Sequence, residues 1–394
     1  MAQKWKTVLA VIQPTGQEVR QEQRIAALLA RKLQKTTHGK VTVAGSVAKG
    51  TFLKGEADLD IFVLFPLSVS RKTFEQRIRG IVKKAFPRAR HEIKYAEHPY
   101  VRLFWEGKRI DVVPAYKITT AAQLLSAVDR SVLHTRFIQN NLRQRQIPEV
   151  LLLKKFLKAN ELYGAEIRVQ GFSGYLCELL VLKYKTFLGC LRATKKFQAP
   201  LMVIDPVDKN RNVAAAVSEE KLKQFIRLAG RFVGKPSDRF FVGPPSFSQK
   251  LEHMKKKRGR VYSVTLPHTP AVEDIVWGQL RKLAQQLQTF LEKHDFEVVE
   301  ELLDSDAKTA TIVFRVKMDM LPAKRWVEGP PLSLKKNVQA FRQAHKNAKF
   351  KIKKGRVHAE VKRELRTTEQ TLKQFFQKTD LPSRLQKRGM HIRS

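Results

Sequence analysis

Along residues 15–36 apolar side chains recur at three- and four-residue spacing. Val19, Ile25, Ala26, Leu28, Leu29 and Leu33 fall mostly on one side, which predicts an amphipathic helix. The period then changes. Gly39 leads into a short strand over Val41 to Ala44, Gly45-Ser46 makes a turn, and DLDIFVLFP at 58–66 predicts a strong strand. Two more strands are predicted at 91–96 and 100–105, and Glu106-Gly107-Lys108 reads as a hairpin turn into RIDVVPAY at 109–116. This first region is α+β, with a mixed or antiparallel sheet.

From about 120 to 195 the periods become helical, through AAQLLSAV, SVLHTRFIQNNL, EVLLLKKFLKANELYG and GYLCELLVLKYKTFL. A loop rich in Asp, Pro and Asn follows at 204–213, then a helix, EEKLKQFIRLAGRFV, ending near Gly234. Pro236, Pro244 and Pro245 mark a connector. The remainder opens with a strand at 261–266. A helix follows with Val276, Leu280, Leu283, Leu287 and Leu291 on one face, then strands at 295–302 and 309–317. That β-α-β-β order is common among small RNA-binding sandwiches. The expected organisation is an α+β multidomain chain divided at 1–118, 119–240 and 241–394.

Charge narrows the class of partner. Lys and Arg number 76 against 36 Asp and Glu, a formal net charge of +40, which favours a polyanion. Between 331 and 394 the imbalance sharpens to 18 basic against 4 acidic residues. Nucleic acid is the first candidate, since phosphate contacts supply most sequence-independent affinity. An anionic membrane surface is the alternative, but the basic residues are spread over the chain and not gathered on one amphipathic helix. The two cysteines, Cys177 and Cys190, are expected as buried reduced thiols, too few for a secreted disulfide framework. The start, MAQKWKTVLAVIQPTG, lacks the apolar core of a signal peptide, and no apolar run reaches membrane-spanning length. A cytoplasmic location, away from any membrane, is expected.

Candidate chemistry concentrates in AGSVAKGTFLKGEADLDIFVLFP at 44–66. Gly45 lets backbone amides approach a phosphate, and the Ser46 hydroxyl can donate to it. Asp58 and Asp60 lie two apart in a strand pattern, so both carboxylates project to one face. Such a like-charged pair at the mouth of a buried strand needs neutralising, and Mg²⁺ prefers hard carboxylate oxygens with substrate phosphates. Asp111, on the later strand, can come alongside. Three carboxylates on adjacent strands can hold two metals roughly 3.5–4 Å apart. The plainer alternative makes Asp58 a turn residue and Asp60 a strand-end surface residue.

This constellation resembles the DNA polymerase β-type nucleotidyltransferase superfamily. Further segments narrow it: SAVDRSVLH at 126–134, LLKKFLKANELYGAE at 152–166, GFSGYLCELLVLKY at 171–184, DPVDKNRNVAAAVS at 205–218 and WVEGPPLSLKKNVQAF at 326–341. Together, and in this order, they resemble the archaeal class I CCA-adding enzymes over nearly the whole chain. The resemblance implies a nucleotidyltransferase head with a mixed or antiparallel sheet, a helical central domain, and an α+β RNA-binding body with a basic C-terminal tail. It implies Asp58, Asp60 and Asp111 as Mg²⁺-binding catalytic carboxylates, with Gly45, Ser46 and Lys49 at the triphosphate. Lys49 stands where an arginine is expected, so its contact would be a point charge and not a bidentate fork. His134, Lys154 and Tyr163 match positions that hold the nucleotide's phosphates and sugar, and Arg211 matches the arginine that reads the base.

Residue types alone would not single out those last four. His134 could be a core histidine, Lys154 a solvated helix position and Tyr163 a helix-end cap. Arg211 could simply hold its loop through Asp205 or Asp208. The implied partners are tRNA, CTP and ATP, with a homodimer left open. A poly(A) or oligoadenylate polymerase shares the metal site, and an inactive RNA-binding relative is an alternative of another class.

Overall fold

A computed structural model of the chain describes residues 5–95 and 99–394. They form two compact units, Met1–Pro244 and Pro245–Ser394.

In the first unit, helices α1 (Lys6–Ile12) and α2 (Gly16–Gln34) precede strand β1 (Lys40–Ala44), the short helix α3 (Gly45–Lys49) and strand β2 (Leu59–Phe65). Helix α4 (Arg71–Ala85) and strands β3 (Arg90–Tyr95), β4 (Pro99–Trp105) and β5 (Lys108–Tyr116) follow. The last residue predicted for the first of these later strands, Ala96, lies outside the described residues. Thr15 starts α2 by capping the Glu18 N–H while the Glu18 carboxylate accepts from the Thr15 N–H, a reciprocal cap. The sheet order is β1-β2-β5-β4-β3, with β2 and β5 parallel and the other pairs antiparallel, so the sheet is mixed.

Apart from Asp60, strand β2 is apolar, because both its faces are covered. Leu59, Ile61, Val63 and Phe65 enter one core with Leu29 and Leu33 of α2 and with Phe74 and Ile78 of α4. Phe62 and Leu64 meet Ala115 on the other face, against Val128 and Val132. Asp60 has the parity of Phe62 and Leu64, so it opens toward that second face.

The helical part comprises α5 (Arg130–Asn141), α6 (Ile147–Ala159), α7 (Gly174–Tyr184), α8 (Phe187–Ala193) and α9 (Glu219–Gly234). The predicted helix over AAQLLSAV is replaced by two short 3₁₀ turns, Ala121–Gln123 and Ala127–Asp129. Local side-chain bonds outcompete the helix ladder there. The Gln123 amide oxygen accepts from the Thr119 N–H, and the Asp129 carboxylate accepts from the N–H groups of Tyr116, Leu125 and Ser126. Helices α1 and α4 are not among the predicted elements. The first of them packs Trp5, Val8, Leu9 and Ile12 into the helical core with Phe156 and Phe232. Both cysteines are free and buried.

The second unit contains α10 (Phe247–Lys255), β6 (Arg260–Pro267), α11 (Glu273–Lys293), β7 (Val298–Ser305), β8 (Thr309–Val316) and β9 (Lys324–Pro331). Strand β7 begins three residues later than predicted, since Asp295 takes a left-handed φ of +69° after α11 and Phe296 turns into the core. The basic segment beyond Pro331 is folded too, as α12 (Lys335–Ala344), β10 (Lys349–Lys353), β11 (Arg356–Lys362), α13 (Thr368–Lys378) and β12 (His391–Arg393). Leu372, Phe375 and Phe376 of α13 share a core with α11, and β12 pairs with β6. No helix among the described residues is long and apolar enough to cross a membrane.

Candidate active site

The parallel register of β2 and β5 sets Asp60 directly beside Asp111. On the other side of β2, Ala44 is the partner of Asp60, and the chain turns at Gly45 with φ +73°. A Cβ at Gly45 would collide with the Asp60 carboxylate, so glycine is required there for space as well as for backbone conformation. The Gly45 N–H donates to the Thr135 hydroxyl of α5 at 3.2 Å, which ties the turn to the helical part.

Burial, then the charges of Asp111 and Asp58, push the Asp60 carboxyl up to about 7. Asp58 lies just ahead of β2 and pairs with Arg109 at 2.5 Å, while Asp111 takes both Nε and Nη2 of Arg102 at 2.8 Å. Asp58 therefore lies in irregular chain just outside the strand in which the sequence pattern placed it. Among the described residues, no three ligating side chains converge as a ready-made metal cage. The donor set nevertheless suits a hard divalent cation: burial and the two neighbouring carboxylates together shift Asp60, and two arginines supply balancing charge. Neither arginine was expected at the site. The register accounts for Arg109, since pairing Leu59 with Ile110 brings it level with Asp58.

The two candidate lysines meet on a carboxylate that sequence reasoning missed. Glu178 of α7 is fully buried and accepts from Lys49 Nζ at 2.6 Å and from the Thr51 hydroxyl at 2.6 Å. Lys154 Nζ stands 3.6 Å from the same carboxylate and donates to the Thr51 carbonyl at 2.8 Å. Lys154 is therefore no solvated helix position. Burial lowers its pKa. For Glu178 burial acts upward, but Lys49 and Lys154 outweigh it and hold the carboxylate below its usual range. Tyr163 and Lys154 flank the start of α7. A Cβ at Gly174 would stand 2.9 Å from the Tyr163 hydroxyl and 3.6 Å from Lys154 Nζ. Ser46 sits one residue beyond Gly45 in α3, whose five residues are too few for a strong helix dipole.

His134 and Arg211 also converge, on Asp205. His134 Nε2 lies 2.8 Å and Arg211 Nη1 3.0 Å from Asp205 Oδ2. The His134 ring stacks on Tyr175, centroids 3.8 Å apart. Burial lowers the His134 pKa more than Asp205 raises it, so the neutral imidazole is favoured near pH 7. Since ionised Asp205 only accepts, Nε2 carries the proton and Nδ1 is left as an acceptor. That suits a sugar hydroxyl better than a phosphate oxygen. Lys49 links the two halves electrostatically, its charge acting on both Asp60 and His134.

Three family profiles match the chain: a nucleotidyltransferase domain over residues 24–137, a tRNA nucleotidyltransferase second domain over 148–242, and a CCA-adding enzyme C-terminal domain over 258–386. The chain is 35% identical to the CCA-adding enzyme of Methanothermobacter thermautotrophicus, with 100% of this chain and 91% of that protein aligned. It is 37% identical to the CCA-adding enzyme of Methanoregula boonei, over 87% of this chain and 81% of the relative. With that of Methanocaldococcus jannaschii it shares 33% identity, over 85% and 82%. Among solved structures, the Cid1 poly(U) polymerase bound to MgGTP superposes with a TM-score of 0.50 at 15% identity, covering 61% of this chain and 98% of the other. That similarity is one of fold.

Proposed function

The chain belongs to the CCA-adding enzyme family, and on that premise we propose that its three aspartates and its Asp205-centred cluster carry out template-independent addition of C, C and A to the 3′ end of tRNA. The observation that carries the site assignment is the register of Asp60 beside Asp111, with Gly45 packed on Asp60. Divalent cations, Mg²⁺ by the all-oxygen donor set, would be held by Asp58, Asp60 and Asp111 and would supply charge neutralisation at the phosphates.

The chain's own groups position and select. Asp111 draws the proton from the tRNA 3′-hydroxyl as that oxygen attacks the α-phosphate of CTP or ATP and pyrophosphate departs. Lys49 and Ser46 hold the triphosphate, with Lys154 and Tyr163 behind them. Neutral His134 accepts from a sugar hydroxyl through Nδ1. Arg211 donates to the ring nitrogen that C and A present beside an exocyclic amino group. Facing U or G it would meet an N–H instead, a mismatch of about 1–3 kcal/mol in a closed pocket. Residues 1–118 act as the head, 119–240 as the nucleotide-binding neck and 241–394 as the RNA-binding body, in a cytoplasmic enzyme.

The test is incorporation of labelled CTP and ATP into tRNA lacking its 3′ end, read at one-nucleotide resolution. Addition of C, C and A, and then a stop, is expected. A homopolymer of A with CTP ignored would place the chain with the poly(A) polymerases instead.

A further inference from the structure

Asp205 is sealed from solvent, and its carboxylate is fully engaged. Oδ1 accepts from the Tyr175 hydroxyl and from the Val207 N–H, each at 3.1 Å, while Oδ2 accepts from His134 Nε2 at 2.8 Å and Arg211 Nη1 at 3.0 Å. Turning the carboxylate would break all four bonds in a buried setting, so it is a fixed anchor. The backbone beneath it is fixed as well. The Asp205 N–H donates to the Arg211 carbonyl and the Arg211 N–H to the Asp208 carbonyl, both at 2.9 Å. The Asn212 amide oxygen accepts from the N–H groups of Val203 and Ala214. Asp208 does not share the task, because its carboxylate pairs with Arg130 at 3.1 Å.

A guanidinium is a planar fork, so pinning one nitrogen to an immobile carboxylate restricts the direction of the others. The Arg211 side chain still keeps 34% of its surface exposed, enough to meet a ligand. Immobility matters for selection. A freely swinging arginine that met the N–H of U or G could move to the neighbouring carbonyl and recover its hydrogen bond. A pinned one cannot follow, and the mismatch stands uncompensated.

We propose that Asp205 is the positioning residue for nucleotide choice: by clamping Arg211, on the oxygen that also takes His134, it makes the arginine selective for C and A. This rests on the reading of Arg211 given above.

The experiment uses the full chain, with tRNA ready for C and tRNA ready for A, and measures single-turnover rates with each of CTP, ATP, UTP and GTP. Asp205→Asn keeps the shape but leaves one acceptor oxygen for four donors. The preference for CTP and ATP over UTP and GTP should fall roughly tenfold or more, toward that of Arg211→Ala. The double variant should discriminate no worse than Arg211→Ala alone, because both act through one contact. A purely structural role for Asp205 would slow all four nucleotides together and leave the ratios unchanged, which overturns the proposal. If Arg211→Ala loses discrimination while Asp205→Asn keeps it, only this proposal falls. If Arg211→Ala itself keeps discrimination, the base-reading assignment falls and this one with it. Should Asp205→Asn not fold, Asp205→Glu decides by the same ratio. Its carboxylate is displaced by one methylene and carries Arg211 out of register, so unchanged discrimination would overturn the clamp.

Discussion

Lys49 donates to the fully buried carboxylate of Glu178 at 2.6 Å, so a lysine expected to face nucleotide phosphate is anchored from behind by an acid on α7. The same acid lies 3.6 Å from Lys154 and accepts from Thr51. Glu178→Gln would leave two buried ammonium groups without their shared counter-charge, a loss of about 3–5 kcal/mol. Urea unfolding of the two proteins would measure it. A change within about 0.5 kcal/mol would show that the lysines find other partners.

The carboxylates should behave differently from this network. Asp58→Ala, Asp60→Ala and Asp111→Ala should each abolish addition of both C and A, on the order of 10²–10³ in rate or more. Binding of tRNA should survive, since it draws on basic surface elsewhere. Near-normal turnover of either nucleotide in any of the three would show that the active site lies in another place.

Gly45→Ala tests the close approach to Asp60. Its φ of +73° disfavours any side chain, at about 1 kcal/mol, and the added methyl must displace the Asp60 carboxylate. Activity should therefore fall far more than stability does. Single-turnover rates set beside thermal unfolding would separate the two effects, and full activity would mean that Asp60 has room to move.

These relationships are unequally legible in the sequence. Asp60 and Asp111 can be read because strand parity fixes the face and the long apolar run fixes the strand. The partners Arg102 of Asp111 and Arg109 of Asp58 depend on register between strands, which no local pattern supplies. Glu178 announces itself as a lone acid in the apolar run LCELLV at 176–181, and a buried charge demands a partner, yet the partners lie 129 and 24 residues away. His134, Lys154, Tyr163 and Arg211 stand out only through the family resemblance, because a histidine or lysine on a helix has too many ordinary uses. The expected helix over 121–128 fails for the opposite reason: its apolar spacing is right, but Gln123 and Asp129 offer the backbone closer partners than the helix could.

Asp205 also sets a pH dependence. Burial acts upward on its pKa, but the hydrogen bond and the charge of His134, then hydrogen bonds from the Val207 N–H and Arg211, win and hold it at about 2, against 3.8 ordinarily. A carboxylate depressed in the folded state contributes stability that is present above its unfolded pKa and lost as pH falls through the folded value. The loss should run between about pH 4 and pH 2 and amount to about 2 kcal/mol. His134, whose pKa the fold lowers, acts in the same direction below its ordinary range. In acid unfolding followed by circular dichroism, Asp205→Asn should be less stable at neutral pH and show a shallower acid limb. An equally steep limb would assign the acid sensitivity to other carboxylates.

The basic C-terminal segment calls for point substitutions and not for deletion from 331. Leu372, Phe375 and Phe376 lie in the core of the second unit, and β12 completes the sheet beside β6, so truncation would expose that core. Strand β10 is a better target. It pairs only with β11 at the edge of its sheet, and Lys349, Lys351 and Lys353 on it are exposed. The Lys351 ammonium lies 3.8 Å from the ring centroid of Trp326, itself 40% exposed, which offers a cation beside an aromatic face. If these lysines bind tRNA phosphates, replacing all three with alanine should weaken binding and reduce the salt slope by roughly 0.7–0.9 for each phosphate no longer neutralised. Trp326→Ala should weaken binding with little change in slope, because stacking releases no counterions. Binding measured across a salt series distinguishes the two contributions. An unchanged slope in the folded triple variant would assign the strand a packing or dimerisation role and move the tRNA-binding surface to another face.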